Sequence, residues 1–122
     1  MEKPISRKEH GFTDYSYVPL TALAPELFGF EDEETAKLLA RIQSGSILLS
    51  SLFTRAEWGL FKVMPYKMHL VLDTSVGLFS LAAPWLFGFS KNKKARNTFL
   101  MFAAFGLAAG LLSKPEEMPP SL

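Results

Sequence analysis

The sequence predicts an all-α fold: a four-helix transmembrane bundle made of two tandem helical-hairpin repeats, with a short interfacial helix between them. Three observations carry this expectation. Charges cluster at 1–9, 31–41, 55–67, 91–96 and 114–117, leaving four apolar stretches between them. A bilayer core of roughly 30 Å takes about 20 helical residues at about 1.5 Å each, and the third stretch is that long. The chain also repeats itself at an offset of 59 residues, so that His10, Asp14 and Ser16 recur as His69, Asp73 and Ser75.

The first stretch, 11–30, carries Asp14 and Glu26, and the second, 38–53, carries Arg41 and Gln43 near one end. Alone they are weak candidates for spans. The third, 68–89, has Asp73 as its only certain charge, and the fourth, 97–112, has none. The fourth is short, but Arg96 and Lys114 can extend their stems and keep their charged heads at the headgroups. The repeat raises the first pair toward the second. "HGFTDYSYVPLTALAPELFGF" lies over "HLVLDTSVGLFSLAAPWLFGF" without a gap, and nine of the 21 positions are identical. The register persists further, placing Leu52, Thr54 and Arg55 opposite Leu111, Ser113 and Lys114.

The expected organisation is one integral membrane domain, 1–122, with repeat 1 at 10–55, a linker at 56–68, repeat 2 at 69–114 and a disordered tail at 115–122. Each repeat has an even number of spans, so the copies point the same way, related by a pseudo-twofold axis along the membrane normal. In the linker, Trp58, Phe61 and Tyr66 with Lys62 and Lys67 suit the headgroup level, and residues 56–63 are expected to form a helix lying on the membrane surface.

The combination of H-x3-D, a small-Pro-Trp triplet and "LFGF" at the end of the first helix of a two-helix repeat resembles the SPW-repeat proteins, small bacterial membrane proteins of unknown function. The resemblance covers residues 7–114. The triplet stands as Ala83-Pro84-Trp85 in the second repeat and as Ala24-Pro25-Glu26 in the first, where glutamate replaces tryptophan. Gly29 and Gly88 belong to the two "LFGF" ends. The resemblance implies a multi-pass protein of the bacterial cytoplasmic membrane and names no activity.

Composition removes several classes. The net charge is +1, without the strong basic bias of a nucleic-acid binder. There is no cysteine, which excludes disulfides, thiolate metal sites and cysteine nucleophiles. The N-terminus lacks the apolar core and cleavage site of a secretory signal, so no cleavage is expected. No phosphate loop, nucleophile elbow or H-E-x2-H pattern is present, and neither an enzyme nor a bound cofactor is expected.

The residues that invite a functional reading are His10 with Asp14 and His69 with Asp73. Each pair is spaced i,i+4 and shares a helix face. An ionisable group within a membrane is a functional candidate by default. The leading expectation is structural: each aspartate sits near a helix N-terminus, where the dipole and free N–H groups favour it, and each histidine bonds aspartate and headgroups. The alternative is that both pairs meet at the central axis and hold a metal ion or relay a proton. Pro25 and Pro84 deprive Thr21 and Ser80 of a backbone donor, with a hydroxyl beside each freed carbonyl, and predict a modest kink. Gly106 and Gly110, with Ala103, form a small-residue face for close helix contact within the chain. Lys91, Lys93, Lys94 and Arg96 open the fourth helix, where the dipole disfavours them, and are expected to meet lipid phosphates or the acidic loop 31–34. Lysine and arginine counts of seven on the terminal side against five on the loop side favour cytoplasmic termini. The expected role is therefore structural or accessory: a small membrane protein in contact with the bilayer that assembles with itself or with a larger complex and binds no nucleic acid. The runner-up is a small transporter or metal- or proton-handling protein using the paired His and Asp residues.

Overall fold

The computed structural model describes residues 3–54 and 56–115. All regular structure among them is helical: α1 (Arg7–Leu27), α2 (Glu34–Phe53), α3 (Tyr66–Leu86) and α4 (Lys93–Leu112). Every helix boundary in the first pair recurs 59 residues later in the second. The expected disordered tail, from 116 on, lies outside the described residues.

α1, α2 and α4 begin a turn before their apolar stretches and α3 two residues before its own, and side-chain caps start α1 and α4. Ser6 and Glu9 form a capping box at α1: Ser6 Oγ accepts from the Glu9 N–H at 3.1 Å and Glu9 Oε1 accepts from the Ser6 N–H at 3.0 Å. Asn92 Oδ1 accepts from the Ala95 N–H and caps α4. The "LFGF" motifs close α1 and α3, whose last residues are Leu27 and Leu86. Gly29 and Gly88 take positive φ of 75° and 77°, which glycine adopts without strain, and they end α1 and α3 at the preceding turn. The following Phe30 and Phe89 N–H groups bond back to Pro25 O and Pro84 O, both at 2.9 Å.

α1 packs along α2 and α3 along α4, giving two antiparallel hairpins that meet face to face. The α3–α4 seam is very close: a Cβ on Gly106 would lie 3.0 Å from Gly77 Cα, and one on Gly110 would lie 2.0 Å from Thr74 Oγ1. At the hairpin-loop end, Phe30, Phe89, Phe99 and Phe102 close the bundle with Ala24, Ala36, Ala83 and Ala95. At the opposite end a smaller cluster of Ala56, Tyr66 and Leu70 forms.

Between these ends the polarity of the bundle is inverted. Gln43, Ser44, Thr21, Ser80 and the four His and Asp side chains are buried, while Leu23, Ile42, Leu49, Leu78, Trp85 and Leu111 are exposed. Two helices, α3 and α4, are long and apolar enough to cross a membrane, and only 39% of each apolar window is buried within the protein. A core helix of a water-soluble domain buries its apolar stripe against neighbours.

The linker is not the surface helix expected over residues 56–63. It is a chain of turns that closes the end of α2. Leu60 and Phe61 N–H groups bond Leu52 O at 2.8 and 2.9 Å, and Val63 and Met64 N–H groups bond Phe53 O at 3.0 and 2.7 Å. Those carbonyls would otherwise lack partners. Gly59 makes the path possible, since a Cβ there would sit 1.9 Å from Thr54 O, and the same glycine weakens any helix through this segment. The linker is also held to α1: Arg7 makes a two-point ion pair with Glu57 at 2.8 and 2.9 Å, and Trp58 Nε1 donates to Lys8 O at 2.9 Å.

Candidate functional site: a buried His/Asp centre

The site follows from how the chain segments before α1 and α3 are anchored. Ile5 pairs with the end of α4, its N–H bonding Leu112 O at 3.2 Å and its carbonyl accepting from the Lys114 N–H at 2.7 Å. Met64 pairs with the end of α2 at the equivalent position, through Phe53 O. These crossings bring Ser113 beside the first turn of α1 and Thr54 beside the first turn of α3.

There the four ionisable residues converge. His10 Nε2 lies 2.7 Å from Asp73 Oδ2 and 3.1 Å from Asp14 Oδ2. His69 Nε2 lies 2.6 Å from Asp14 Oδ2 and 3.4 Å from Asp73 Oδ2. The shorter contact of each histidine therefore crosses to the other hairpin, although the sequence spacing pairs each with the aspartate on its own helix. His10, His69, Asp14 and Asp73 are only 1, 2, 5 and 7% exposed. This corrects the expectation that the histidines bond headgroups: they face inward, toward each other.

Each imidazole is oriented from behind. His10 Nδ1 is 2.7 Å from Ser113 Oγ, and His69 Nδ1 is 2.7 Å from Thr54 Oγ1. Ser113 donates its hydroxyl proton to Ala109 O, and Thr54 donates its own to Ser50 O. A hydroxyl has one proton to give, so each oxygen accepts from its histidine and each Nδ1 carries a hydrogen. Both Nε2 atoms are then left to the carboxylates. A nitrogen lone pair facing a carboxylate lone pair at 2.6–2.7 Å is repulsive, so each such contact holds a proton between its atoms. Tyr66 walls the site, edge-on to His10 at 5.9 Å and nearly parallel to His69 at 6.3 Å.

Toward the bundle centre, a cavity of about 40 Å³ borders Asp14 and Asp73 and is lined also by Tyr17, Gln43 and Phe102. Room for a water takes roughly 10–15 Å³ on this measure. The buried Tyr17 hydroxyl and Gln43 Oε1 make no hydrogen bond among the described residues, and Gln43 Nε2 donates to Ser80 Oγ at 2.6 Å. From the sequence Gln43 only interrupts a span; its place beside the cavity is a tertiary fact.

The other candidates fall outside this centre. Thr21 and Ser80 do not turn to the carbonyls freed by Pro25 and Pro84; they donate one turn earlier, to Tyr17 O and Val76 O. Pro19, also inside α1, escaped the sequence reading. Gly106 and Gly110 face α3, where Gly106 meets Gly77 and Gly110 meets Thr74, neither foreseen from the sequence. Trp85 points outward, and its counterpart Glu26 is held by Arg41 Nη2 at 2.6–2.7 Å. Lys91, Lys93, Lys94 and Arg96 lie at the hairpin-loop end, where the loops touch through Asn92 Nδ2 and Glu33 Oε1 at 3.5 Å. Outside the helices, hydrogen bonds from Arg7 hold the Glu57 carboxyl below the usual carboxylate range.

No protein-family model, curated protein or solved structure matches this chain.

Proposed function

We propose that this chain is a small integral membrane protein, a four-helix bundle of two tandem hairpins related by a pseudo-twofold axis, that holds a cation where the hairpins meet. The SPW-repeat resemblance and a place in the bacterial cytoplasmic membrane belong to the same reading. The observation that carries it is the convergence of His10, Asp14, His69 and Asp73 with their Nε2 and carboxylate oxygens turned inward. Burying four ionisable groups is costly, and they are tolerated when they neutralise one another or a bound ion. The inverted polarity supports the membrane setting, since apolar side chains face out all along the helices. The aromatic plug of Phe30, Phe89, Phe99 and Phe102 at the far end speaks for holding a cation rather than passing it freely.

A second, structural reading draws support from the direction of the short contacts. Both cross between hairpins, as a cross-tie in an accessory or self-assembling subunit would. One experiment separates the two. Membranes containing the chain are washed with alkaline carbonate, and the extracted protein is unfolded thermally across pH, with and without chelator. Cation holding predicts retention in the membrane and a midpoint that chelator lowers in wild type but not in D14N/D73N. A midpoint that chelator leaves unchanged in both leaves the structural tie, and release by carbonate contradicts the membrane assignment.

A further inference from the structure

We infer that the His10–Asp14–His69–Asp73 centre is a closed, four-coordinate site for one divalent transition-metal ion of the zinc class. The inference rests on the cation-holding reading and names the ion. Four ligand atoms, two imidazole Nε2 and two carboxylate oxygens, lie within 4.8 Å of one another. Imidazole nitrogen suits zinc, copper, nickel or iron, whereas calcium and magnesium take oxygen ligands, and the absence of thiolate disfavours copper(I).

The distances suit a small ion. A tetrahedral site with bonds of about 2.0–2.1 Å has ligand-to-ligand edges of roughly 3.3 Å. The four nitrogen–oxygen edges here are 2.6, 2.7, 3.1 and 3.4 Å. The two longer edges already fit, the two shorter ones need to open by about 0.6–0.7 Å, and the nitrogen–nitrogen and oxygen–oxygen separations, within 4.8 Å, must close toward the same length as the carboxylates rotate. The cavity bordering both aspartates leaves them room to swing.

The surroundings also suit metal ligands. Metal-bound histidines donate their second ring N–H to a fixed acceptor, which sets the tautomer and aims the lone pair. Ser113 and Thr54 do this for His10 and His69, and each is itself fixed by a backbone carbonyl. Charge also balances. Two carboxylates cancel a divalent ion, and the ion replaces the two protons in the short Nε2···Oδ2 contacts, which leave to solvent. With all four positions filled by protein, the site stores or structures rather than catalyses. It clamps α1 to α3.

The test uses the full chain in lipid nanodiscs, stripped with chelator and titrated with Zn²⁺ alone, read by native mass and calorimetry. One zinc per chain is expected, with affinity reduced at least about 100-fold in D14N/D73N and about 10–100-fold in T54V or S113A. X-ray absorption should show two nitrogen and two oxygen ligands. Wild type binding zinc no better than D14N/D73N overturns the metal assignment. In that event, a wild-type midpoint that chelator still lowers leaves cation holding standing for another ion, and one that chelator leaves unchanged removes both. If D14N/D73N does not fold, the wild-type stoichiometry and the graded loss in T54V and S113A decide.

Discussion

The crossed pairing of the His/Asp centre makes a quantitative claim about energetic coupling. His10→Asn, Asp73→Asn and the double variant form one thermodynamic cycle, measured in chelator so that no metal contributes. Two unit charges 2.7 Å apart attract by about 6 kcal/mol at an effective dielectric near 20. Much of this is offset by the cost of removing both charges from water, but deleting one partner leaves the other buried without compensation, typically a loss of about 3–5 kcal/mol. Deleting both removes the orphaned charge, so the double variant should be little worse than either single one. The expected coupling is a little less than one single loss, about 2–4 kcal/mol. The His69 and Asp14 cycle, with a 2.6 Å contact, should match it. The His69 and Asp73 cycle, at 3.4 Å and beyond charge-assisted hydrogen-bond length, should give a smaller coupling than the crossed pairs. Reversible unfolding in mixed micelles by added dodecyl sulfate, followed by helical circular dichroism, reads all three. Crossed-pair cycles that are additive within about 0.5 kcal/mol would refute the reasoning.

Three further outcomes follow from the packing and the charges. Gly110→Ala should cost about 1–3 kcal/mol in the same unfolding assay, because its Cβ meets Thr74 Oγ1 at 2.0 Å; Gly45→Ala, with nothing within 4 Å, should be neutral or gain up to about 1 kcal/mol. Arg41→Leu alone should destabilise by stranding Glu26, whereas Arg41→Leu with Glu26→Trp, which copies Leu100 and Trp85 of the second repeat, should restore the wild-type midpoint. Glu57 has its folded value depressed below 4.5, so its stabilising pairing with Arg7 is present above that pH and is lost as pH falls through the folded value. The pair is partly exposed, so the wild-type midpoint should drop relative to Glu57→Gln in acid by no more than the equivalent of about 1 kcal/mol.

Much of the architecture was legible in the sequence because it is written twice. The 59-residue offset that aligns His10 with His69 also aligns the ends of α1 with α3 and of α2 with α4. Thr54 and Ser113 fell opposite one another in that alignment, and a hydroxyl at the same place in both copies was the available sign of their role behind the histidines. What stayed hidden depends on which helices touch. Spacing of i,i+4 pairs His10 with Asp14, and only the meeting of α1 with α3 shows that Asp73 is nearer. The Glu26 and Arg41 pair spans two helices and a loop, so neither charge advertised the other. The linker misled because its aromatic and basic composition fits a membrane surface whether or not it is helical. Its N–H groups, committed to Leu52 O and Phe53 O, and the close approach at Gly59 decide its path.

The most direct test of the converged centre is the imidazole ¹⁵N spectrum of the ¹⁵N-histidine-labelled chain in nanodiscs, with chelator present. The structure predicts that both histidines carry hydrogen on Nδ1 and that Asp14→Asn shifts the Nε2 signal of His69 more than that of His10, while Asp73→Asn does the reverse. If each substitution instead perturbs chiefly the histidine on its own helix, the pairs are local, the two hairpins share no centre, and the cation-holding account fails.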